Sequence, residues 1–299
     1  MVEECNVVLD NEEFYPGQVI SGRVECNFST ENKVRAIRVR FKGRAKVHWR
    51  EGRYGNYSAD ETYFEMESDL LDGEMIIPQG QHKYPFSFNL PFLLPPSISH
   101  EYGNVRYTVQ ATINRPWAFD HRNKKMFTVN SYTDLNTMDE AKKPIELTKV
   151  KRPFSLFSER GPITINVKLP ITGHVPSQMV TFSSHVKNNS NVNVQEVRFK
   201  LVQRFEFRCK LRTKSIDTIL AQEFAIIDSA ISPGCEKSWD LLELRVPANM
   251  FIGNLSFCNI IKSFFELRGE VVLPLPHRNL ELAIPLLLGN VPLINRNTS

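Results

Sequence analysis

The amino-acid sequence predicts an all-β protein made of two tandem immunoglobulin-like β-sandwich domains. Three observations carry this prediction: a long, strict alternation of basic and apolar residues, a self-match at a shift of about 160 residues, and short apolar runs separated by Pro, Gly, Asn and Ser.

The alternation is clearest from Arg38 to Trp49. Arg38, Arg40, Lys42, Arg44, Lys46 and His48 are basic, and between them stand Val39, Phe41, Gly43, Ala45, Val47 and Trp49. A period of two sends successive side chains to opposite faces of a sheet, so this is a half-buried strand; a helix would scatter the charges round its circumference. A second such stretch alternates Arg198, Lys200, Arg204, Glu206, Arg208, Lys210 and Arg212 with Phe199, Leu201, Phe205, Phe207, Cys209 and Leu211.

These two strands are copies of each other within a longer repeat. Pro16-Gly17-Gln18-Val19-Ile20 falls on Pro176-Ser177-Gln178-Met179-Val180, and Val34, Ile37, Arg38, Val39, Arg40 and Phe41 fall on Val194, Val197, Arg198, Phe199, Lys200 and Leu201. Gly80, Lys83 and Pro91 return as Gly234, Lys237 and Pro247. So long a period means duplicated domains, because solenoid units recur every ~20–50 residues. The expected division is a first domain at 1–148, a basic, Pro-punctuated linker at 149–158, and a second domain at 159–299. Shorter strands are expected at 18–28, 61–71, 83–90, 104–115 and 124–132, and again at 163–169, 178–186, 218–228, 237–246, 262–273 and 279–288. No sustained apolar stripe at i, i+3, i+4, i+7 appears, so little helix is expected.

With 41% hydrophobic and 23% charged residues in 299, the composition is that of an ordinary globular chain, and the length suits two domains. The first residues, Met1-Val2-Glu3-Glu4-Cys5, are acidic where a secretory signal is basic. The apolar run Leu282 to Leu288 contains Pro285 and is far short of the ~20 residues a bilayer span requires. Five scattered cysteines, an odd number, suggest neither a disulfide framework nor a zinc site, and fit a reducing, cytoplasmic setting.

The sequence holds no Gly-rich phosphate loop, G-x-S-x-G elbow, H-E-x-x-H helix or C-x-x-C pair, and its seven histidines are scattered. No catalytic residue, cofactor or metal is expected. The acids Asp60, Glu61, Glu65, Glu67, Asp69, Asp72 and Glu74 lack calcium-loop spacing and read as the solvated face of a strand. A net charge of +4 without a recognisable nucleic-acid motif leaves charge-driven nucleic-acid or lipid binding, or an enzyme with no local signature, as the lesser alternatives.

The order of several motifs resembles one family. Tyr15-Pro16-Gly17-Gln18-Val19-Ile20-Ser21-Gly22, Gly43-Arg44-Ala45-Lys46-Val47-His48-Trp49, Tyr102-Gly103-Asn104-Val105-Arg106-Tyr107 and Arg115-Pro116-Trp117 in the first half, and Gly161-Pro162-Ile163, Cys258-Asn259-Ile260-Ile261 and Pro285-Leu286-Leu287-Leu288-Gly289-Asn290-Val291-Pro292-Leu293 in the second, are similar to the α-arrestins, the arrestin-domain-containing proteins. The resemblance implies an arrestin fold and a cytoplasmic adaptor, peripherally associated with the plasma membrane or endosomes. It implies docking to membrane-protein cargo, receptors or transporters, and to other arrestins, in endocytosis, sorting or signalling. Members of that family recruit ubiquitin ligases through Pro-Pro-x-Tyr motifs. Here the only Pro-Pro, Pro95-Pro96, is followed by Ser97-Ile98, so ligase contact is expected to be indirect.

The candidate partner-binding residues are the two basic ridges: Arg38, Arg40, Lys42, Arg44 and Lys46, and Arg198, Lys200, Arg204, Arg208 and Lys210. Acids on a neighbouring strand, with Glu61, Glu65 and Glu67 foremost, are the expected cross-strand partners of the first ridge. Any cation they leave unpaired is expected to meet acidic or phosphorylated cargo or anionic lipid.

Overall fold

Period-two burial organises the chain into two compact units: Met1–Ser131 with Glu206–Lys214 and Gly253–Lys262, and Tyr132–Phe205 with Ser215–Ile252 and Ser263–Ser299. The computed structural model describes residues 2–53, 55–116, 119–153, 161–220, 225–227 and 230–294.

In the first unit the strands are β1 (Val2–Leu9), β2 (Glu13–Phe14), β3 (Val19–Phe28), β4 (Asn32–Glu51), β5 (Gly55–Ile77), β6 (Gly80–Asn89), β7 (Ile98–His100), β8 (Gly103–Asn114) and β9 (His121–Val129). They form a three-stranded sheet, β1-β3-β6, and a larger one in the order β2-β9-β8-β4-β5, with β7 also paired to β8. Rings join the two sheets: Phe41 of β4 stacks on Phe88 of β6 at 4.7 Å and meets Phe86 edge-on at 5.6 Å. Phe64, Tyr107, Phe127 and Phe14 continue the chain of ring contacts. Burying each such ring stabilises the sandwich by roughly 1.5–3 kcal/mol. Gly43 is where this packing is tightest, since a Cβ there would stand 2.6 Å from both the Phe64 and Tyr107 rings.

The second unit contains β10 (Ile145–Lys151), β11 (Ile163–Leu169), β12 (Gly173–His174), β13 (Met179–Asn188), β14 (Glu196–Cys209), β15 (Arg212–Ile219), β16 (Ala225–Ile227), β17 (Glu236–Arg245), β18 (Ile261–Val272) and β19 (Leu280–Leu288), the last residues of β14 and the first of β15 and β18 lying in the first unit. The sheets run β10-β11-β13-β17 and β12-β19-β18-β14-β15, with β16 against β14. The core here is mostly aliphatic, with Ile163, Ile165, Val167, Val186, Leu267 and Ile284 fully buried around Phe199.

Apart from β7, β10 and β16, the two units share one topology. β11, β13 and β17 repeat β1, β3 and β6, and β12, β19, β18, β14 and β15 repeat β2, β9, β8, β4 and β5. The repeated turn has the same chemistry in both copies. The Gln18 N–H donates to the Tyr15 carbonyl and Gln178 to Val175, each at 3.1 Å, with Gly17 at φ +83° and Ser177 at φ +70° in the third position. Pro before a positive φ is a type II arrangement; glycine adopts it freely and serine at some cost.

Three features depart from the sequence reading. The stretch 149–158 expected as linker is strand over its first three residues, because Lys149, Val150 and Lys151 of β10 pair with Ile165, Thr164 and Ile163; residues 154–160 lie outside the described residues, as does Trp117. Segments 206–214 and 253–262 group with the first unit rather than the second half. Cys5 and Cys26 are joined in a disulfide, contrary to the reading from spacing: the antiparallel register of β1 and β3 sets them opposite each other although 21 residues separate them. Cys209, Cys235 and Cys258 are free. No helix is long and apolar enough to cross a membrane.

One place in the repeat bears on stability. Phe14 of β2 packs edge-on against Phe127 at 5.6 Å, and its counterpart in β12 is His174, which is 1% exposed with neither ring nitrogen hydrogen-bonded among the described residues. Burial pushes the His174 imidazole below its usual range, only partly offset by the Ile171 backbone. A lowered native value means that the unfolded chain binds the extra proton. Stability is therefore full above the unfolded value near ~6.5 and is lost as the pH falls from there through the native one. His174→Phe is expected to stabilise the protein by about 1–2 kcal/mol at neutral pH and to flatten the loss between about pH 7 and 5. Thermal denaturation of both proteins across that range measures it; equal slopes would remove His174 from the account.

Candidate functional site

On β4 the inward residues Val39, Phe41, Ala45 and Val47 are buried, and the alternate residues line the outer face. That face is bounded by β5 on one side and β8 on the other. β5 supplies acids to nearly the whole ridge. Arg38 donates to Asp69 at 2.6 Å and lies 3.7 Å from Glu67; Arg40 and Lys42 share Glu65, the lysine at 2.6 Å; Lys46 is 3.3 Å from Asp60. Glu61 serves elsewhere, accepting from the Asn259 backbone N–H at 2.8 Å and from its side-chain amide at 2.7 Å within the same unit. Partial burial, then the neighbouring Arg40, Arg44 and Lys46, push the Lys42 ammonium below its usual range, the mark of crowded like charge.

Arg44 is the ridge residue without an acid. Across β5 it meets Thr62, and across β8 it meets Arg106, another cation. The rest of that flank is uncharged: Thr112, Gln110, Thr108 and Asn104 stand opposite Arg38, Arg40, Lys42 and Lys46. One strand further on, Lys124 of β9 lies opposite Gln110 and Met126 opposite Thr108, while Arg122 is held by Asp120 at 3.4 Å. Among the described residues no ion pair or hydrogen bond holds the side chain of Arg44, Arg106 or Lys124. A depression of about 370 Å³ lies beside Arg106, where β7 gives way to β9 along β8, lined by Arg106, Ser97, Ser99, Glu12, Met126 and Thr128 among others.

The second ridge is neutralised at its arginines. Arg198 bonds Glu270 at 2.8 Å; Arg204 and Arg268 clamp Asp217 at 2.8 and 2.6 Å; Arg208 bonds Glu206 at 2.7 Å. Hydrogen bonds from Arg204, opposed by burial and aided by Arg268, hold the Asp217 carboxyl well below the usual carboxylate range. Burial alone would raise Glu270, but Arg198 and Asn279 hold it low. Lys200 adds its field to Glu270 without a direct pair, and Lys210 sits in the β14–β15 turn at φ +52°. Arg198, Arg204 and Arg208 are thus tied up in local pairs.

Sequence reasoning missed Arg106 and Lys124. Alternation of Val105, Tyr107 and Val109 does put Arg106 on an outer face, but only the β4–β8 register sets it beside Arg44. Among the described residues no three His, Cys, Asp or Glu side chains converge as metal ligands.

Comparison with known proteins agrees with this architecture. Residues 5–136 match the family "Arrestin (or S-antigen), N-terminal domain" and residues 159–293 match "Arrestin (or S-antigen), C-terminal domain". The chain is 25% identical to Arrestin domain-containing protein 17 of Caenorhabditis elegans, over 99% of this chain and 72% of the relative. It is 24% identical to Arrestin domain-containing protein 1 of Rattus norvegicus over 93% of this chain and 62% of the relative, and 23% identical to Arrestin domain-containing protein 4 of Homo sapiens over 97% and 72%. With both arrestin domains matched in tandem order on two duplicated all-β units, the chain belongs to the α-arrestins, the arrestin-domain-containing family.

Proposed function

We propose that this chain is a non-enzymatic cytoplasmic adaptor that docks, without covalent chemistry, onto acidic cytoplasmic segments of membrane-protein cargo during endocytosis, sorting or signalling. One observation carries the reading beyond family membership. Arg44, Arg106 and Lys124 share a sheet face on which neighbouring cations have acids, and they have none among the described residues. Placing two arginines directly opposite costs stability in the free protein. An acidic ligand relieves that repulsion, and arginine forks suit carboxylates and phosphates. The test is affinity capture from detergent-solubilised membranes with the wild-type chain and with Arg44→Glu/Arg106→Glu/Lys124→Glu. Integral membrane proteins are expected with the former, with recovery down roughly tenfold for the variant at ~0.1 M salt and the difference narrowing at ~0.5 M. Equal recovery at low salt by a folded variant removes this face, and nucleic acid as the sole captured species overturns the adaptor reading.

Ligase recruitment follows from the same surface inventory. Pro95 and Pro96 are both buried, and the Pro95 carbonyl accepts the Tyr107 hydroxyl at 2.5 Å, so this Pro-Pro cannot present the extended ligand a WW domain reads. These 299 residues are expected to bind isolated WW domains more weakly than about 100 μM, contact with a ligase coming through a second arrestin instead. Micromolar binding in a calorimetric titration would count against this.

A further inference from the structure

The duplication provides an internal control for the Cys5–Cys26 pair. In the second unit β11 is held on both sides, by β10 and by β13. In the first unit its counterpart β1 is paired only with β3 among the described residues, its other edge touched by the Asn123 side chain, which accepts the Val7 N–H at 3.0 Å. At the place where the second unit has the directly opposed, fully buried pair Ile165 and Val186, the first has Cys5 and Cys26. The strand that lacks a second neighbour is the one that carries the covalent tie.

The backbone suits that tie. Because the Val7 N–H points away from β3, Val7 and Val24, and two residues back Cys5 and Cys26, are non-hydrogen-bonded pairs, the class in which opposed Cα atoms come closest. Both cysteine side chains are buried, at 1% and 2% exposure, so the register alone brings them together. Cys26 also borders a surface depression of about 180 Å³ that it shares with Glu4, Asn6, His82 and Lys83, so one cysteine of the pair abuts solvent-accessible space.

We propose that Cys5–Cys26 is a reversible thiol–disulfide site, opened by a dithiol reductant and closed by a disulfide oxidant, which sets how firmly the edge strand β1 is held. In the opening direction a reductant thiolate attacks one protein sulfur, forming a mixed disulfide and expelling the other cysteine as a thiolate that takes up a proton. The second reductant thiol then displaces the first cysteine. Two electrons pass to the protein, leaving two cysteine thiols and an oxidised, cyclic reductant; closing is the same exchange run backwards against a disulfide such as oxidised glutathione. Attack follows local opening of β1, which edge position favours. Removing a tie that closes a loop of 21 residues raises the opening constant by at most roughly 300-fold on the chain-entropy account, and by less where only β1 opens. The site stands apart from the cationic face, and either can fail without the other.

The test uses the full chain carrying Cys235→Ser, to silence the exposed free thiol, equilibrated with dithiothreitol or with oxidised glutathione. Differential alkylation with mass spectrometry reports the state of Cys5 and Cys26, and hydrogen exchange reports β1. The expected result is a full interchange of bond and thiols, with the 2–9 amides exchanging roughly 100-fold faster in the dithiol form while β11 is unchanged. Adding Cys5→Ile/Cys26→Val, the pair of the second unit, should make β1 exchange the same in both buffers. Should that variant fail to fold, the two buffers compared on the Cys235→Ser chain still decide. Persistent free thiols in oxidised glutathione, or a bond that forms and breaks with no change in β1, overturns the proposal.

Discussion

Everything on the surface of the first unit follows from the inward face of β4. Val39, Phe41, Ala45 and Val47 must pack against the β6 and β8 side chains, and in a strand that commitment sends Arg38, Arg40, Lys42, Arg44 and Lys46 outward. A one-residue slip of register would bury the cations and expose the rings, so the pairing is held by the core and the charge pattern comes with it. Neutralisation then depends on which strand lies alongside. β5 is the sheet's edge, and its acids serve twice: they pair with β4, and they discourage another chain from adding to that edge. β8 is an interior strand with threonine, glutamine and asparagine on this face, and it offers Arg44 nothing but Arg106.

Duplication lets the molecule be read against itself. Positions alike in both units, such as the turn at Gly17 and Ser177, report what the fold demands. Positions that differ report what each unit does with it. His174 where the other copy has Phe14 introduces a proton-sensitive weak point into an apolar slot. Cys5 and Cys26 where the other copy has Ile165 and Val186 substitute a covalent link for part of a ladder. The Phe-to-His exchange keeps a ring of similar shape and changes its chemistry, whereas the cysteines are smaller than the isoleucine and valine they stand for, the covalent bond drawing the two strands together where bulk is missing.

The all-β class and the tandem arrangement were legible because β4 and β14 alternate over long stretches and because the Pro-x-Gln turn recurs at the domain period. β1 was not legible: Val2-Glu3-Glu4-Cys5-Asn6-Val7-Val8-Leu9 breaks its alternation, and its place is secured by pairing with β3. β10 was hidden for a different reason, since Lys149, Lys151 and the flanking prolines resemble a linker, Ile145 and Leu147 are only half-buried and Val150 is exposed. The disulfide depended wholly on register. So did the cation group of Arg44, Arg106 and Lys124, because parity assigns a side chain to a face while only strand order says who its neighbours are.

The energetics of that cation group limit what it does alone. An exposed ion pair contributes at most about 1 kcal/mol, so three of them sum to about 3 kcal/mol before the cost of ordering long side chains is subtracted. That is far below the roughly 8 kcal/mol of a micromolar complex. On the proposed reading, charge on this face therefore acts first on encounter and orientation, speeding the arrival of an acidic segment and rejecting a basic one, effects that weaken with salt. Affinity has to come from further contact area or from two surfaces engaging one partner, for which linked binding multiplies weak sites without strengthening either. On the proposed reading, a protein made of two like units, with opposed arginines on one face unpaired among the described residues and with Arg198, Arg204 and Arg268 held in local pairs, suits contacts that are selective, weak singly and readily reversed.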